Sequence, residues 1–527
     1  MQPACIRHTD LPGTSRLFAD FTYHFDKVAD FYRHNPQDPQ ALKKAAADID
    51  YPADRRAALV KALAAQNAGG NDRSAESLRK LAQPGTLAVV TGQQVGLFGG
   101  PAYTIYKALT AVRLAKRLSD QGTAAVPVFW LATEDHDFAE VNHVWMFNAA
   151  SESQLLRAEA NSHSARQRPV GWIAIDKPPI DELRGVLKGM PFADEVLAAV
   201  EQAYTPGATP GTTMGASFQA LMQSLTRNLG LIFLDPLDPA IRAIAAPLIA
   251  KAVRSAKEIK PRLIERDKEL EAAGYHAQVH VDAQTSLFFL LEKGERVPVR
   301  RKDSDYSDLA DRAAEVSPNA LLRPVMQDYL LPTVAYIGGP GELAYLAQSE
   351  VLYDALLGRM PVMMSRSAFT LLDARSVKLL ERYKLTVEQV MVPEHELADR
   401  VARALVPQEL QGSFRTATSN VTAEIDRLKA QFEGFDPTLA AALGTSRAKI
   451  TYQLEKMRAK TEREALRRNR QATSDAHHLG AMLFPHRHLQ ERFYSILPFL
   501  AQHGLGLVDR LYDAVEAECP DHRVFTI

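Results

Sequence analysis

The run TLAVVT (residues 86–91) carries no charge and is rich in β-branched residues. It breaks into the glycine-rich segment GQQVGLFGGP (92–101), then into an amphipathic stretch over 102–120 with Leu109, Val112 and Leu118 among its apolar positions. A second charge-free run, VPVFWLA (126–132), follows. Strand, helix, strand in that order is a βαβ unit, whose strands lie parallel in a sheet covered by helices. Pro101 suits the first helical turn, where a missing N–H leaves nothing unsatisfied. The same grammar returns in LIFLD (231–235), in TVAYI (333–337) followed by GGPGE and a helix to about residue 357, and in PVMM (361–364) ended by Ser365, Arg366 and Ser367. These runs predict an α/β chain with a parallel-sheet core.

Two regions interrupt the pattern. Residues 151–225 are mixed and turn-rich, with a clear break at TPGATPG (205–211). Residues 276–310 open on alternating apolar and polar residues, which predicts antiparallel strands turning at Lys293, Gly294 and Glu295. The expected order is core over 1–150, first insertion over 151–225, core over 226–275, second insertion over 276–310, and core again over 311–412. From 413 to 475 the apolar residues Val421, Ile425, Leu428, Phe432, Phe435, Leu439 and Ala442, then Ile450, Leu454 and Met457, follow heptad spacing. Asp436 and Pro437 supply an N-cap and first-turn pair between the two phases, so a helical hairpin is expected. Residues 476–527 are expected to pack back on the core as a helical segment.

The 527 residues exceed what one simple core holds. A net charge of −1 gives no overall basic field to draw nucleic acid or an anionic membrane. No uncharged run approaches the ~18 residues of a membrane span. The opening residues lack the apolar core of a signal peptide. Two cysteines, Cys5 and Cys519, offer neither metal spacing nor a disulfide framework. The expected location is the cytoplasm.

In an open parallel sheet ligands bind beyond the carboxyl ends of the strands. The loops at that address are 91–101, 133–143, 338–342 and 365–367. In the first, Gly96, Gly99 and Gly100 let backbone approach a phosphate or carboxylate, Gln93 and Gln94 add neutral partners, and Lys107 adds charge. The spacing is neither GxxxxGK[ST] nor GxGxxG, and a plain strand-to-helix turn reads equally well. In the second, TEDHDFAEVNH (133–143), Asp135, His136, Asp137 and His143 are metal-type ligands without an HExxH frame. As acid–base equipment, His136 between two acids is expected to have a raised pKa. The plainer reading makes Glu134 and Asp135 caps of the next helix. PHRHLQER (485–492) concentrates donors at a polar helix start.

VTGQQVGLFGGPAYTIYK (90–107), PVFWLATEDHDFAEVNH (127–143), LRPVMQDYLLPTVAYIGGPGE (322–342) and LQER (489–492) together resemble the signatures of the bacillithiol biosynthesis cysteine-adding enzyme family. The resemblance runs in order along nearly the whole chain. It departs at Ser365, where the family pattern leads one to expect proline before the arginine. It implies a Rossmann-like core with two connecting-peptide insertions and a coiled-coil domain used in dimerisation. The implied activity is a ligase joining cysteine to glucosaminyl-malate by an amide bond in the last step of bacillithiol synthesis. A metal-dependent hydrolase of a phosphorylated or amide substrate is the alternative.

An amide made from a free carboxylate needs an activated acyl group, so ATP or another nucleotide is expected as co-substrate, with no tightly bound cofactor and no metal. The expected catalytic residues are His136, Asp135 and Asp137, which would orient and deprotonate the amine. Expected binding residues are Thr91, Gly92, Gln93, Gln94, Gly96, Gly99, Gly100, Tyr103 and Lys107, with Glu134, Asn142, Gly338, Gly339, Gly341, Glu342 and Arg366. Glu134 or Glu342 is expected to meet the α-ammonium of cysteine. The expected partners are these two small molecules and a second copy of the chain, with neither nucleic acid nor membrane.

Overall fold

The computed structural model describes residues 4–159, 167–175, 177–204, 213–282, 285–300, 305–516 and 519–527. The break expected at 205–211 lies outside them. Two compact units divide the chain, residues 1–370 with 491–525 and residues 371–490 with 526–527.

The first unit is built on strands β1 (Leu87–Gln93), β2 (Ala125–Leu131), β3 (Ile232–Leu234), β4 (Thr333–Gly338) and β5 (Val362–Ser365), all parallel, in the spatial order β5-β4-β1-β2-β3. The core is a parallel sheet, as the apolar runs predict, and Rossmann-like, as the family resemblance implies. Each strand is buried on both faces, which is why it reads as a continuous apolar run and not as an alternation. Ala88, Val90, Val128, Trp130 and Tyr336 enter one apolar cluster. Leu87, Val89, Ala335 and Ile337 face another, closed by Ala111, Leu114 and Leu118 of helix α1 (Tyr103–Asp120). Truncating the fully buried Leu114 to Ala would remove about 2–5 kcal/mol.

From β1 the chain moves outward through β2 to β3, then returns to the other side of β1 for β4 and β5. The direction reverses between β1 and β4, and the crevice beyond their carboxyl ends is the topological switch point. Register brings those ends level, with Thr91 beside Ile337 and Gly338 beside Ser365. Two further helices flank the site, α2 (Pro239–Ala272), capped by Asp238, and α3 (Pro340–Leu357).

The insertions differ in detail from the sequence reading. An antiparallel hairpin of His143–Phe147 and Ser153–Arg157 begins inside the expected core, and helices Ile180–Leu187, Ala193–Tyr204 and Met214–Leu225 follow. Phe288–Glu292 and Glu295–Pro298 pair around Lys293 and Gly294, both at positive φ as a tight hairpin turn requires. A third strand, Val316–Pro318, pairs with Phe288–Glu292 from beyond residue 310. The C-terminal segment is not wholly helical, because His522–Thr526 runs antiparallel to Ala4–Ile6.

The second unit begins at Leu371, ahead of the expected 412/413 border. Helix Glu394–Leu405 buries Leu397, Val401 and Ala402, and Leu397 packs on Gly480 of helix Arg470–Leu483. The hairpin itself is α4 (Gln408–Glu433) and α5 (Pro437–Arg468), with Asp436 accepting from the Thr438 N–H at 2.7 Å. No residue of α4 is buried, and Phe435, Leu439, Ile450 and Met457 are exposed. Among the described residues no helix is long and apolar enough to cross a membrane.

Candidate active site

The ends of β1 and β4 open onto a cavity of about 420 Å³ whose lining includes Gly92, Gln93, Gln94, Tyr103 and Lys107, Glu134 and Asp135, Arg296, Arg323, Gly339, Gly341, Glu342 and Tyr345, and Arg366 and Arg492. Gly92 is required by close approach, since a Cβ there would lie 2.9 Å from the Trp130 carbonyl oxygen.

One wall is cationic, and most of its charge is already engaged. Lys107 Nζ donates to Gly92 O at 2.9 Å, to Gln93 Oε1 at 2.8 Å and to Glu342 Oε2, which uses all three of its protons. Glu342 also accepts from Tyr336 OH at 2.6 Å and caps α3 by accepting the Gly339 N–H at 2.8 Å. Burial opposes ionisation of Glu342, yet Lys107, Tyr336 and the Gly339 N–H together hold its carboxyl below the usual range. Arg323 donates to Gln327 Oε1 at 3.1 Å and Tyr345 OH at 2.8 Å. Arg366 forms a two-pronged pair with Glu491 at 2.9 and 2.6 Å, both side chains buried. Its Nε is buried without a partner, close to Gly339. Arg492 is exposed and makes no ion pair or hydrogen bond among the described residues, its guanidinium 5.9 Å from the Tyr103 ring centre. Anion-binding capacity therefore sits at Arg492 and the Arg366 Nε.

The facing wall is acidic. Asp135 Oδ2 accepts from Gln94 Nε2 at 2.7 Å, and Oδ1 accepts the His136 N–H at 2.7 Å. Its side chain is 33% exposed and, among the described residues, has no cation as counter-ion closer than His136 Nδ1 at 3.9 Å. Glu134, by contrast, is buried against Arg242 from the first turn of α2 at 2.8 Å. Both glutamates expected to meet an ammonium are thus engaged by protein cations, and Asp135 is the carboxylate left open to the cavity.

Several expected residues do not line it. The turn 96–101 satisfies its own backbone: Gly96 N–H donates to Gln94 O, Gly99 N–H to Gly96 O, Gly100 N–H to Leu97 O, and Phe98 N–H to Tyr204 OH. Gly96, Gly99 and Gly100 are buried, with no N–H left for phosphate. Thr91 Oγ1 donates to Ile337 O and ties β1 to β4, and Gly338 O accepts from the Arg366 N–H between β4 and β5. Asp137 caps the short helix Phe138–Val141 through the Glu140 N–H, taking the role expected of Glu134 and Asp135. Asn142 and His143 contact each other, with His143 Nδ1 at the Ala139 carbonyl. The four metal-type ligands of 133–143 therefore do not converge as a set, and among the described residues no group of three or more His, Cys, Asp or Glu side chains is arranged to hold a metal ion.

His136 needs a correction of sign. Its pKa is lowered, not raised, because burial and the Arg296 guanidinium outweigh Asp135 and Asp137. Arg296 Nη1 lies 3.1 Å from His136 Nδ1 and can only donate there, so the ring proton belongs on Nε2. In that tautomer the outer edge of His136 is a donor, unsuited to taking a proton from an amine. Arg296 is itself pinned by Ser317 Oγ at 3.0 Å, by Pro318 O at 2.8 Å and by the Phe289 ring at 3.8 Å. The sequence reading missed Arg296, Arg323 and Tyr345. Arg323 is the second residue of one of the recognised signatures, whereas nothing around Arg296 marks it.

Comparison with known proteins covers the whole chain. Residues 1–367 match the N-terminal Rossmann-like domain of bacillithiol biosynthesis BshC, and residues 369–527 match its C-terminal coiled-coil domain. A Solibacter usitatus protein named "Putative cysteine ligase BshC" is 52% identical over 536 residues, covering 100% of each chain. Proteins of the same name from Koribacter versatilis and Salinibacter ruber are 37% and 33% identical. The first covers 100% of both chains, the second 96% of this chain and 95% of its own.

Proposed function

The chain belongs to the BshC family of bacillithiol biosynthesis, and from that membership we propose that it is a cysteine ligase joining the cysteine carboxyl to the amine of glucosaminyl-malate. The observation that carries the reading is the switch-point cavity, where Arg492 and the unpartnered Arg366 Nε share the lining with an open carboxylate, Asp135. A carboxylate does not yield an amide directly, because its oxygen is a poor leaving group at neutral pH. ATP or another nucleotide activates it as an acyl-adenylate or acyl-phosphate, and phosphate or carboxylate oxygens rest against Arg492 and the Arg366 Nε, beside the start of α3.

The attacking amine arrives as an ammonium ion and must lose a proton before it is a nucleophile. Asp135 is placed to receive and orient that ammonium. Gln94 and the His136 N–H hold the Asp135 carboxylate in position. Lys107 and Glu342 act on the substrates indirectly, by fixing Gly92, Gln93 and the first turn of α3. The exposed apolar positions of α4 and α5 are the surface through which two copies pair. The reducing cytoplasm is the location that suits a thiol substrate and a thiol product.

The test is to incubate the purified chain with cysteine, glucosaminyl-malate and each nucleoside triphosphate in turn, following products by mass spectrometry. One nucleotide should yield the cysteinyl amide. Absence of the amide with every nucleotide removes the proposal.

A further inference from the structure

Tyr103, Tyr336 and Tyr345 all line the switch-point cavity, and they differ in what their hydroxyls have left to give. Tyr336 spends its proton on Glu342 Oε1 at 2.6 Å. Tyr103 OH accepts from the neutral amide of Gln93 at 3.2 Å. Tyr345 OH accepts from the Arg323 guanidinium, Nη2 to oxygen at 2.8 Å. Among the described residues neither Tyr103 nor Tyr345 donates its own proton to the protein. What sets Tyr345 apart is the cation on its oxygen.

Tyr345 stands on α3 three residues after Glu342, so both side chains rise from one face of that helix. Arg323 opens the helix Arg323–Leu330 and is held there by Gln327, a fully buried side chain whose Oε1 accepts from Nη1 at 3.1 Å. Among the described residues Arg323 forms no ion pair, and the hydrogen bonds of its guanidinium go to neutral oxygens. A charged donor on a phenol oxygen draws density from it and makes the remaining O–H a stronger donor.

We propose that Tyr345 is a catalytic residue, whose O–H, polarised by Arg323, donates to the acyl oxygen of activated cysteine as that oxygen gains negative charge. This rests on the ligase reading. The amine nitrogen, already freed of one proton, adds its lone pair to the acyl carbon, and the C=O pair moves onto the oxygen facing Tyr345. The nitrogen then gives its surplus proton to Asp135. The pair on oxygen remakes C=O, and the bond to the phosphate oxygen breaks with its electrons leaving on the nucleoside monophosphate or inorganic phosphate. Tyr345 keeps its proton throughout, because desolvation raises its pKa and Arg323 only opposes that rise. Arg492 and Arg366 meet charge that the bound phosphate carries before and after the step. Tyr345 meets charge that exists only during it, the kind of interaction that raises kcat. The backbone offers little in its place, since the 96–101 turn consumes its N–H groups and the Gly339 N–H is spent on Glu342.

The test is single-turnover amide formation by the full-length Tyr345→Phe protein, which lacks one oxygen, with cysteine, glucosaminyl-malate and the nucleotide that supports the parent. The amide step should slow by about 10²–10³-fold, while KM for either substrate changes by less than about threefold. Fluorotyrosines placed at position 345 give a graded series at a pH where each stays protonated. The more acidic phenol should give the faster amide step, a trend that a merely structural hydroxyl would not produce. If the phenylalanine variant does not fold, this series carries the test by itself. A parent that makes no amide with any nucleotide removes the ligase reading and Tyr345 with it. An active parent matched by an equally fast Tyr345→Phe, a loss confined to KM, or rates flat across the fluorotyrosines would overturn the role of Tyr345 and leave the ligase reading standing.

Discussion

Replacing Glu491 by Gln isolates the charge on which the cationic wall depends. The side chains of Arg366 and Glu491 are 3% and 2% exposed, so neither ion is solvated by water. Glutamine keeps the shape and can still accept from the Phe369 N–H, which Glu491 meets at 3.0 Å. What disappears is the counter-charge, leaving a buried guanidinium unpaired. Breaking one side of a buried pair destabilises by about 3–5 kcal/mol, against about 0–1 for an exposed pair. In population terms this is roughly two to three and a half orders of magnitude. Urea unfolding followed by tryptophan fluorescence reads the effect locally, because Trp130, Trp145 and Trp172 all belong to the first unit. The double variant Arg366→Met with Glu491→Leu removes both charges, and it should be more stable than Glu491→Gln while remaining inactive. A Glu491→Gln protein within about 1 kcal/mol of the parent, or a double variant no more stable than the single one, would refute the reasoning.

Asp135→Asn should lower single-turnover amide formation by about 10²–10⁴ with folding intact, whereas His136→Gln should act more weakly because its outer nitrogen donates. Asp235, half-buried just past the end of β3, is pushed up to about 6 by desolvation, which Thr133 and the Leu237 N–H only partly offset. Its native pKa lies above the unfolded value of 3.8, so the folded unit loses stability as pH rises through that window. Asp235→Asn should therefore gain about 3 kcal/mol relative to the parent between pH 4 and pH 7, measured by the same urea assay at each pH. Gly92→Ala should push β1 from β2 at the Trp130 carbonyl, destabilise by about 1–3 kcal/mol and reduce activity, read by urea unfolding and turnover. Charging the hairpin with Leu439→Glu and Ile450→Glu should convert a dimer to a monomer in light scattering without unfolding the first unit.

The sheet was legible because strands buried on both faces leave uninterrupted apolar runs, and their ends mark where polar loops must converge. Local sequence does not reveal which atoms in those loops remain available. The 96–101 turn has the glycines of an anion cradle, yet its N–H groups are consumed by Gln94, Gly96, Leu97 and Tyr204. Lys107 looks like a free cation until Gly92, Gln93 and Glu342 fill its three donor positions. The acids beside His136 suggest a raised pKa, but the deciding charge, Arg296, is supplied from the second insertion. Each of these is a long-range contact, invisible to spacing.

The most direct measurement is transfer of an oxygen label. Cysteine carrying oxygen-18 in both carboxylate positions is converted with glucosaminyl-malate and the active nucleotide. One label should be retained in the amide carbonyl and the other found on the nucleoside monophosphate or on inorganic phosphate. Amide formed with the second label released only into water would contradict nucleotide activation of the cysteine carboxylate.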